Sequence, residues 1–285
     1  MKILNLINVQ RLKRLPDSMV KQLVLILLSL LTLFPLYFMA TNSLKVQDEF
    51  FKNLLGLPQS PVFGNYLKIL QHPNLGRWFV NSILLTTSSV LLCTIIAILA
   101  AYAFAQMRFP GRDTLFNLIT PLMVIPPIVM VIPMFVLFRQ LHLVNNPGGP
   151  LIIYAGLMLP FTIYLLRNFF VTIPKEIQDA ALIDGCTGFQ VLTKIYLPLS
   201  RQALVTSIIV NAVWVWNELL IALVFLQTEE LRTLIVGITT SLQKRFTLDV
   251  PSLMAGLTVA TIPMILLYIM GQNALVRGLV AGYEK

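Results

Sequence analysis

Six stretches of this chain, residues 20–41, 79–106, 115–138, 150–166, 204–226 and 253–275, are mostly apolar, and a bilayer crossing takes about 20 such residues as a helix. Lipid offers the backbone no hydrogen-bond partners, so each run has to close its own ladder as a helix. The sequence therefore predicts an all-α, multi-pass membrane protein with six transmembrane helices. The stretch 150–166 is the shortest and fits only with little tilt. Residues 1–19 read as a cytoplasmic N-terminal segment and residues 20–285 as the membrane domain. Phe38, Met39 and Ala40 supply no small-x-small cleavage site, so the first run reads as an uncleaved span.

A water-facing fold is excluded by composition. Of the 285 residues 57% are hydrophobic and only 12% charged, about half the usual charged share of a globular domain, and mean hydropathy is +0.81. The net charge of +9 raises the question of nucleic acid. The basic residues form no stripe interleaved with aromatics, and many flank apolar runs, where they act as anchors. With the N-terminus inside, thirteen of the 21 Lys and Arg residues, among them Arg11, Lys13, Arg108, Arg112, Lys175 and Arg201, fall on the cytoplasmic side. Eight, including Lys45, Lys68, Arg77 and Arg232, fall outside. This excess predicts cytoplasmic N- and C-termini.

Between the fourth and fifth runs, residues 173–198 form a long polar stretch with its own start and stop signals. Pro174 suits a helix start, followed by the helix formers Lys175, Glu176 and Gln178. Gly185 stands where a helix ends in the left-handed conformation. Thr187 to Gln190 has the form of a capping box opening a second short helix, which Pro198 ends. On the predicted orientation this helix-turn-helix faces the cytoplasm, as a docking device for something outside the membrane.

Several spans carry prolines: Pro126, Pro127 and Pro133 in the third, Pro160 in the fourth, Pro263 in the sixth. Proline frees a carbonyl, which a membrane tolerates where neighbours or a wet cavity satisfy it. Three in one span point to a pathway-lining helix. Glu218, beside Trp216 and Asn217, is the one clearly intramembrane carboxylate. Such groups face a bundle interior or a water-filled cavity. Asn217 and Glu218 either line a substrate path or hold helices together, and the sequence leaves both open.

The chain has no Gly-Lys dipeptide, hence no Walker loop, and no Gly-x-Ser-x-Gly or His-Glu-x-x-His motif. His72 and His142 fall in predicted outer loops, and Cys93 and Cys186 read as two separate reduced thiols. No metal or cofactor site is expected. Energy for uphill transport would have to come from a partner acting on the capped element.

Residues 174–198 resemble the EAA loop of ABC importer permeases, and nearly the whole chain resembles a permease of the carbohydrate-uptake class, of the maltose and glycerol-phosphate type. The resemblance is carried by Phe34 and Pro35, Ser43 and Lys45, Asn65 and Tyr66, and Trp78, Asn81 and Ser82. It continues through Arg108, Gly111 and Arg112, Leu166 and Arg167, Ala180 and Ala181, Asp184 and Gly185, Leu197 and Pro198, and Trp216, Asn217 and Glu218. It implies a permease (MetI-like) fold with cytoplasmic EAA-loop coupling helices, in a bacterial or archaeal cytoplasmic membrane. The implied partners are a second permease in a heterodimer, two ATPase subunits that use ATP and Mg, an extracytoplasmic solute-binding protein and membrane lipid. Glu176, Asp179, Ala180, Ala181, Asp184 and Gly185 would contact the ATPase. Asn211, Trp216, Asn217 and Glu218 are the candidates for the substrate path. The eponymous Glu of the loop is Asp179 here, the usual later proline is Gln202, and the C-terminal signature is loose at Tyr283, Glu284 and Lys285.

The expectation is thus a subunit importing a sugar or related polyol by alternating access, without its own ATPase site. The rivals are an importer of glycerol phosphate or a compatible solute, a self-sufficient secondary carrier, and an intramembrane enzyme. The single membrane carboxylate and the missing catalytic motifs count against the last two.

Overall fold

A computed structural model describes residues 4–242 and 249–280, with side chains from 19 to 242 and from 249 to 272. The described residues are helical apart from turns and loops. In chain order the helices are α1 (Leu4–Asn42), α2 (Gln47–Lys52), α3 (Gly64–Leu70), α4 (Leu75–Gln106), α5 (Arg112–Ile119), α6 (Pro127–Gln140) and α7 (Gly148–Val171). They continue with α8 (Lys175–Ile183), α9 (Gly188–Val191), α10 (Leu197–Leu199), α11 (Arg201–Asn217), α12 (Leu220–Phe225), α13 (Leu234–Ser241) and α14 (Val250–Val280). The predicted role of the C-terminal tail falls on residues 281–285, outside the described set.

Four of the described helices are long and apolar enough to span a membrane: Met19–Asn42 within α1, α4, α7, and Val250–Gln272 within α14. Three of the six predicted runs are realised differently. In the third, Pro126 and Pro127 break the ladder: α5 continues as a 3-10 turn, Thr120–Val124, and meets α6 at a bend of 104°. Pro133 lies inside α6 without breaking it. The fifth is interrupted at Glu218, leaving α11 with 17 residues and α12 with 6. The fourth needs the opposite correction. It is not short: α7 has 24 residues, because the helix runs on through Arg167, whose guanidinium lies over the Phe116 ring at 4.6 Å and so keeps an apolar-compatible seat.

The chain divides into two compact units, one of Met1–Leu70 with Leu242–Val259, the other of Gln71–Ser241 with Ala260–Lys285. In the first, the span of α1 has no buried share and turns Leu23, Leu27, Leu31 and Phe34 outward, as a lipid-facing helix does. Its end is polar and closed: Asn42, Ser43 and Lys45 are fully buried. Asn65 donates to the carbonyls of Ser43 and Lys45, both at 2.8 Å, and the hydroxyls of Ser43 and Tyr66 meet at 2.7 Å. This network joins Ser43, Lys45, Asn65 and Tyr66, which lie on either side of α2, into one unit.

In the second unit, α4 and α7 make the most extensive packing among the described helices. The buried stripe of α4 reads Trp78, Ser82, Leu85, Ser89, Cys93, Ala97, Ala101, Phe104, a helical spacing filled by small residues. Small side chains let membrane helices approach closely where lipid supplies no hydrophobic drive. Cys93 reaches Thr162 at 3.5 Å, and Gln106 donates to the Phe170 carbonyl at 3.2 Å, so α4 and α7 run in the same direction. Asn211 on α11 donates to the same Thr162 hydroxyl at 2.9 Å. Ala203 of α11 packs near Phe170, while Val215 packs near Tyr154, so α11 runs opposite to α7.

The loop after α12 is fastened to the start of α4. Trp78 donates from its indole to the Glu229 carbonyl at 2.8 Å, Asn81 donates to the carbonyls of Glu230 and Arg232, and the Ser82 hydroxyl accepts from the Leu234 amide at 2.8 Å. A Cβ on Gly237 would lie 2.1 Å from the Trp78 ring, so α13 sits against Trp78 only because that position is glycine.

Candidate functional site

The capped element between α7 and α11 is built as its sequence requires, with one correction. Gly185 has φ +84°. Its amide donates to Leu182 and that of Cys186 to Ala181, at 3.1 and 2.9 Å, the paired bonds of a Schellman stop. Thr187 opens α9: its hydroxyl accepts from the Gln190 amide at 3.3 Å, and its amide donates to the Gln190 side chain at 2.8 Å. Pro198, however, does not end this helix. The run passes through a π turn, Leu192–Tyr196, and on to Leu199, with the Leu197 amide bonded to the Leu192 carbonyl. Bonds of the wider i+5 type let the chain pass a residue with no amide hydrogen. Ser200 alone then separates it from α11.

Glu176, Asp179, Ala180, Asp184 and Gly185 are exposed, and Ala181 is half-buried. The face is not only polar: Ile177, Leu182 and Phe189 are exposed, and Ile183 is 86% exposed. Of the predicted contact residues only Ala181 packs inward, against the cluster around Phe170 and Tyr196. The element is held from behind by Tyr196, which is fully buried. Its ring meets Phe170 of α7 and Tyr102 of α4 edge-on, at 5.4 and 5.2 Å, and its hydroxyl donates to Gln178 of α8 at 3.0 Å. Burial, with neighbouring Tyr102 and Asp179, pushes its phenol up to about 12. Tyr196 and Gln178 were absent from the sequence-based site; nothing in the sequence separates Tyr196 from the other aromatics.

The second candidate region is the break between α11 and α12. Glu218 accepts from the Tyr154 hydroxyl at 2.5 Å and from the amides of Ile221 and Ala222 at 2.9 to 3.1 Å. Its carboxylate thus starts α12 and ties it to α7. Trp216 is buried, donates to the Ala260 carbonyl at 3.0 Å and borders an apolar cavity of about 420 Å³ with Phe79, Thr86, Thr94, Ala212 and Met264. Asn211 is buried at the Thr162 node. Asn217 is exposed, its amide donating to the Val213 carbonyl at 2.7 Å. Tyr154 was legible in principle, since a buried phenol needs an acceptor and Glu218 was the one carboxylate within reach of the spans.

No group of three or more His, Cys, Asp or Glu side chains able to hold a metal occurs among the described residues. His72 stacks on Trp78 at 4.5 Å between centroids, and Cys93 and Cys186 are free.

Comparison with known proteins agrees with this architecture. Residues 93–280 match the family described as binding-protein-dependent transport system inner membrane component. A putative ABC transporter permease protein of Caldicellulosiruptor sp. is 37% identical over 252 residues, 88% of this chain and 91% of that one. The sulfoquinovosyl glycerol transport system permease SmoH of Agrobacterium fabrum is 34% identical, over 89% of each chain. The solved structure of a bacterial ABC transporter involved in import of the acidic polysaccharide alginate has a chain that matches with TM-score 0.77 at 26% identity, covering 90% of this chain and 95% of that one. With its helical membrane fold, its capped loop element and these relatives, the chain belongs to the binding-protein-dependent transport system inner membrane components, as a permease subunit of an ABC importer.

Proposed function

We propose that this permease forms, with a second and different permease chain, the pathway for a sugar or related polyol delivered by a solute-binding protein, and that two ATPase subunits drive it through α8. The observation that carries the coupling role is the outward face of α8. A short helix that exposes Ile177, Leu182 and Ile183 beside Glu176 and Asp179, while Tyr196 anchors its other side, fits a groove on a water-soluble partner. The solute class is supported by the relatives named for sulfoquinovosyl glycerol and alginate transport.

In this reading the chain crosses the membrane six times with both termini in the cytoplasm. Two points support the count. Phe116 and Ile119 of α5 pack with the cluster around Phe170, and Val131 and Phe138 of α6 with the cluster around Tyr154, so the bent pair travels from one end of α7 to the other. Likewise α11 and α12 together run from Ala203 to Phe225 across the same two clusters. Of the four pathway candidates, Asn217 at the helix break is the one that presents its side chain outward. Asn211, Trp216 and Glu218 hold the helices that frame it.

The test is reconstitution of the complete complex in vesicles with the binding protein and a panel of sugars and polyols. Solute-stimulated ATP hydrolysis and uptake should appear together, and Ile183→Glu should abolish both while the complex's permease pair still assembles. Uptake persisting without any ATPase subunit would sink the reading.

A further inference from the structure

The loop that follows α1 carries a set of bonds that a water-exposed turn has no need of. Five consecutive residues, 53–57, have backbone groups taken up by side chains. The Lys45 ammonium donates to the Asn53 carbonyl at 2.5 Å, Asn42 to that of Leu54 at 3.2 Å, and the Tyr37 hydroxyl to that of Leu55 at 3.1 Å. Asn53 itself accepts from the Gly56 amide at 3.0 Å and donates to the Leu57 carbonyl at 3.1 Å. Meanwhile the side chains of the same segment point away from the protein: Phe51 is 70% exposed, Leu54 44%, Leu55 60% and Leu57 68%. Four carbonyls of the segment, those of Asn53, Leu54, Leu55 and Leu57, are thus held by side chains while its apolar side chains turn out, an arrangement that suits the edge of an apolar medium.

Depth is set by what the loop is tied to. Tyr37 lies within the span Met19–Asn42, about 7 Å below its end at 1.5 Å per residue. The loop therefore folds back alongside the span instead of rising from it, and the span there also turns apolar side chains outward, Leu33, Phe34 and Leu36. Lys52 and Tyr37 are of the types that sit at the lipid–water boundary. The burial of Lys45 gains a reason here, since its ammonium is spent on the carbonyl of half-buried Asn53 and on the Asn42 side chain.

We propose that residues 51–57 are an interfacial anchor: they dip into the leaflet reached by the end of α1, with Phe51, Leu54, Leu55 and Leu57 in the acyl boundary and four backbone carbonyls held by Tyr37, Asn42, Lys45 and Asn53. The occupant of this face is lipid, and not the binding protein or another permease.

The experiment places nitroxide labels, one at a time, at Leu54→Cys, Leu55→Cys and Leu57→Cys in the whole complex in phosphatidylcholine vesicles. Cys186→Ser removes the accessible native thiol, and Cys93 is fully buried. Ser60→Cys, exposed in the same loop, serves as the aqueous control. The expected result is relaxation by oxygen several-fold above that by a water-soluble nickel chelate at 54, 55 and 57, reversed at 60. Chelate access at all four positions overturns the anchor. Shielding from both agents means that protein covers the loop and overturns it too, as does chelate access that disappears when binding protein is added. Solute-stimulated ATP hydrolysis in the labelled complexes keeps a folding failure distinguishable from each of these.

Discussion

The Tyr196 hydroxyl donates to Oε1 of Gln178 across 3.0 Å, joining a helix outside the membrane spans to a ring wedged between α4 and α7. Tyr196→Phe keeps the ring and deletes the bond. The expected outcome is a complex of near-normal thermal stability, within about 1 kcal/mol, in which solute stimulates ATP hydrolysis less. Equal stimulation in both proteins would show that the bond transmits nothing.

The same phenol gives a pH prediction. Its value is raised to about 12 from an ordinary value near 10, so the folded state favours the protonated form. The contribution is fully present below about pH 10 and is lost as pH rises through about 12. Difference absorbance between the protein and Tyr196→Phe should show one phenolate appearing only at the upper end of that range.

Gly185 and Gly188 are a matched pair. A Cβ would meet nothing within 4 Å at either, but only Gly185 has a positive φ. Gly185→Ala should cost about 1–2 kcal/mol from the left-handed backbone alone, whereas Gly188→Ala should be neutral or stabilising by up to about 1 kcal/mol. Melting curves of the two variants in the same detergent decide this, and coupled ATP hydrolysis should fall only in the first.

At the α11–α12 break, Tyr154→Phe removes one donor from a carboxylate that keeps its two amides. A bond to a charged group is worth about 1.5–3 kcal/mol, and a loss of that order is expected. Glu218→Gln should lose less than additively when combined with Tyr154→Phe. Strict additivity would mean that the two groups do not act together.

Asp249 is pulled two ways. Partial burial pushes its carboxyl up, but hydrogen bonds from Lys68 and Ser252 and the Lys68 charge outweigh this and leave it below the usual carboxylate range. Its contribution is therefore present above about pH 4 and is lost as pH falls through the lowered value. Both partners are partly exposed, so the effect is small. The acid limb of the melting temperature should shift slightly in Asp249→Asn and vanish in high salt.

Much of this architecture was written in periodicity and caps. Runs of 20 apolar residues announced the spans, and Gly185 with Thr187 and Gln190 announced the turn, because those signals are local. What escaped the sequence depends on partners far along the chain. Arg167 looked like a terminus because its seat over Phe116 comes from another helix. Glu218 looked like a point inside a span, although its bonds to Ile221 and Ala222 start a new helix there. Pro198 looked like a stop until the π turn rerouted the bonding. The strut Tyr196 was invisible for the same reason, since it is defined by an acceptor on a different helix, whereas Tyr154 could be paired in principle with Glu218, the one carboxylate within reach of the spans.

The single residue Ser200 between the capped element and α11 has a mechanical consequence. A helix of 17 residues is about 26 Å long, and its foot is joined almost directly to the element that Gln178 and Tyr196 hold in place. Such a rod is a lever: a tilt of about 10° at the foot carries the far end, where Asn217 stands, through about 4–5 Å over that length. On the proposed coupling role, movement at that end needs no motor of its own, only leverage.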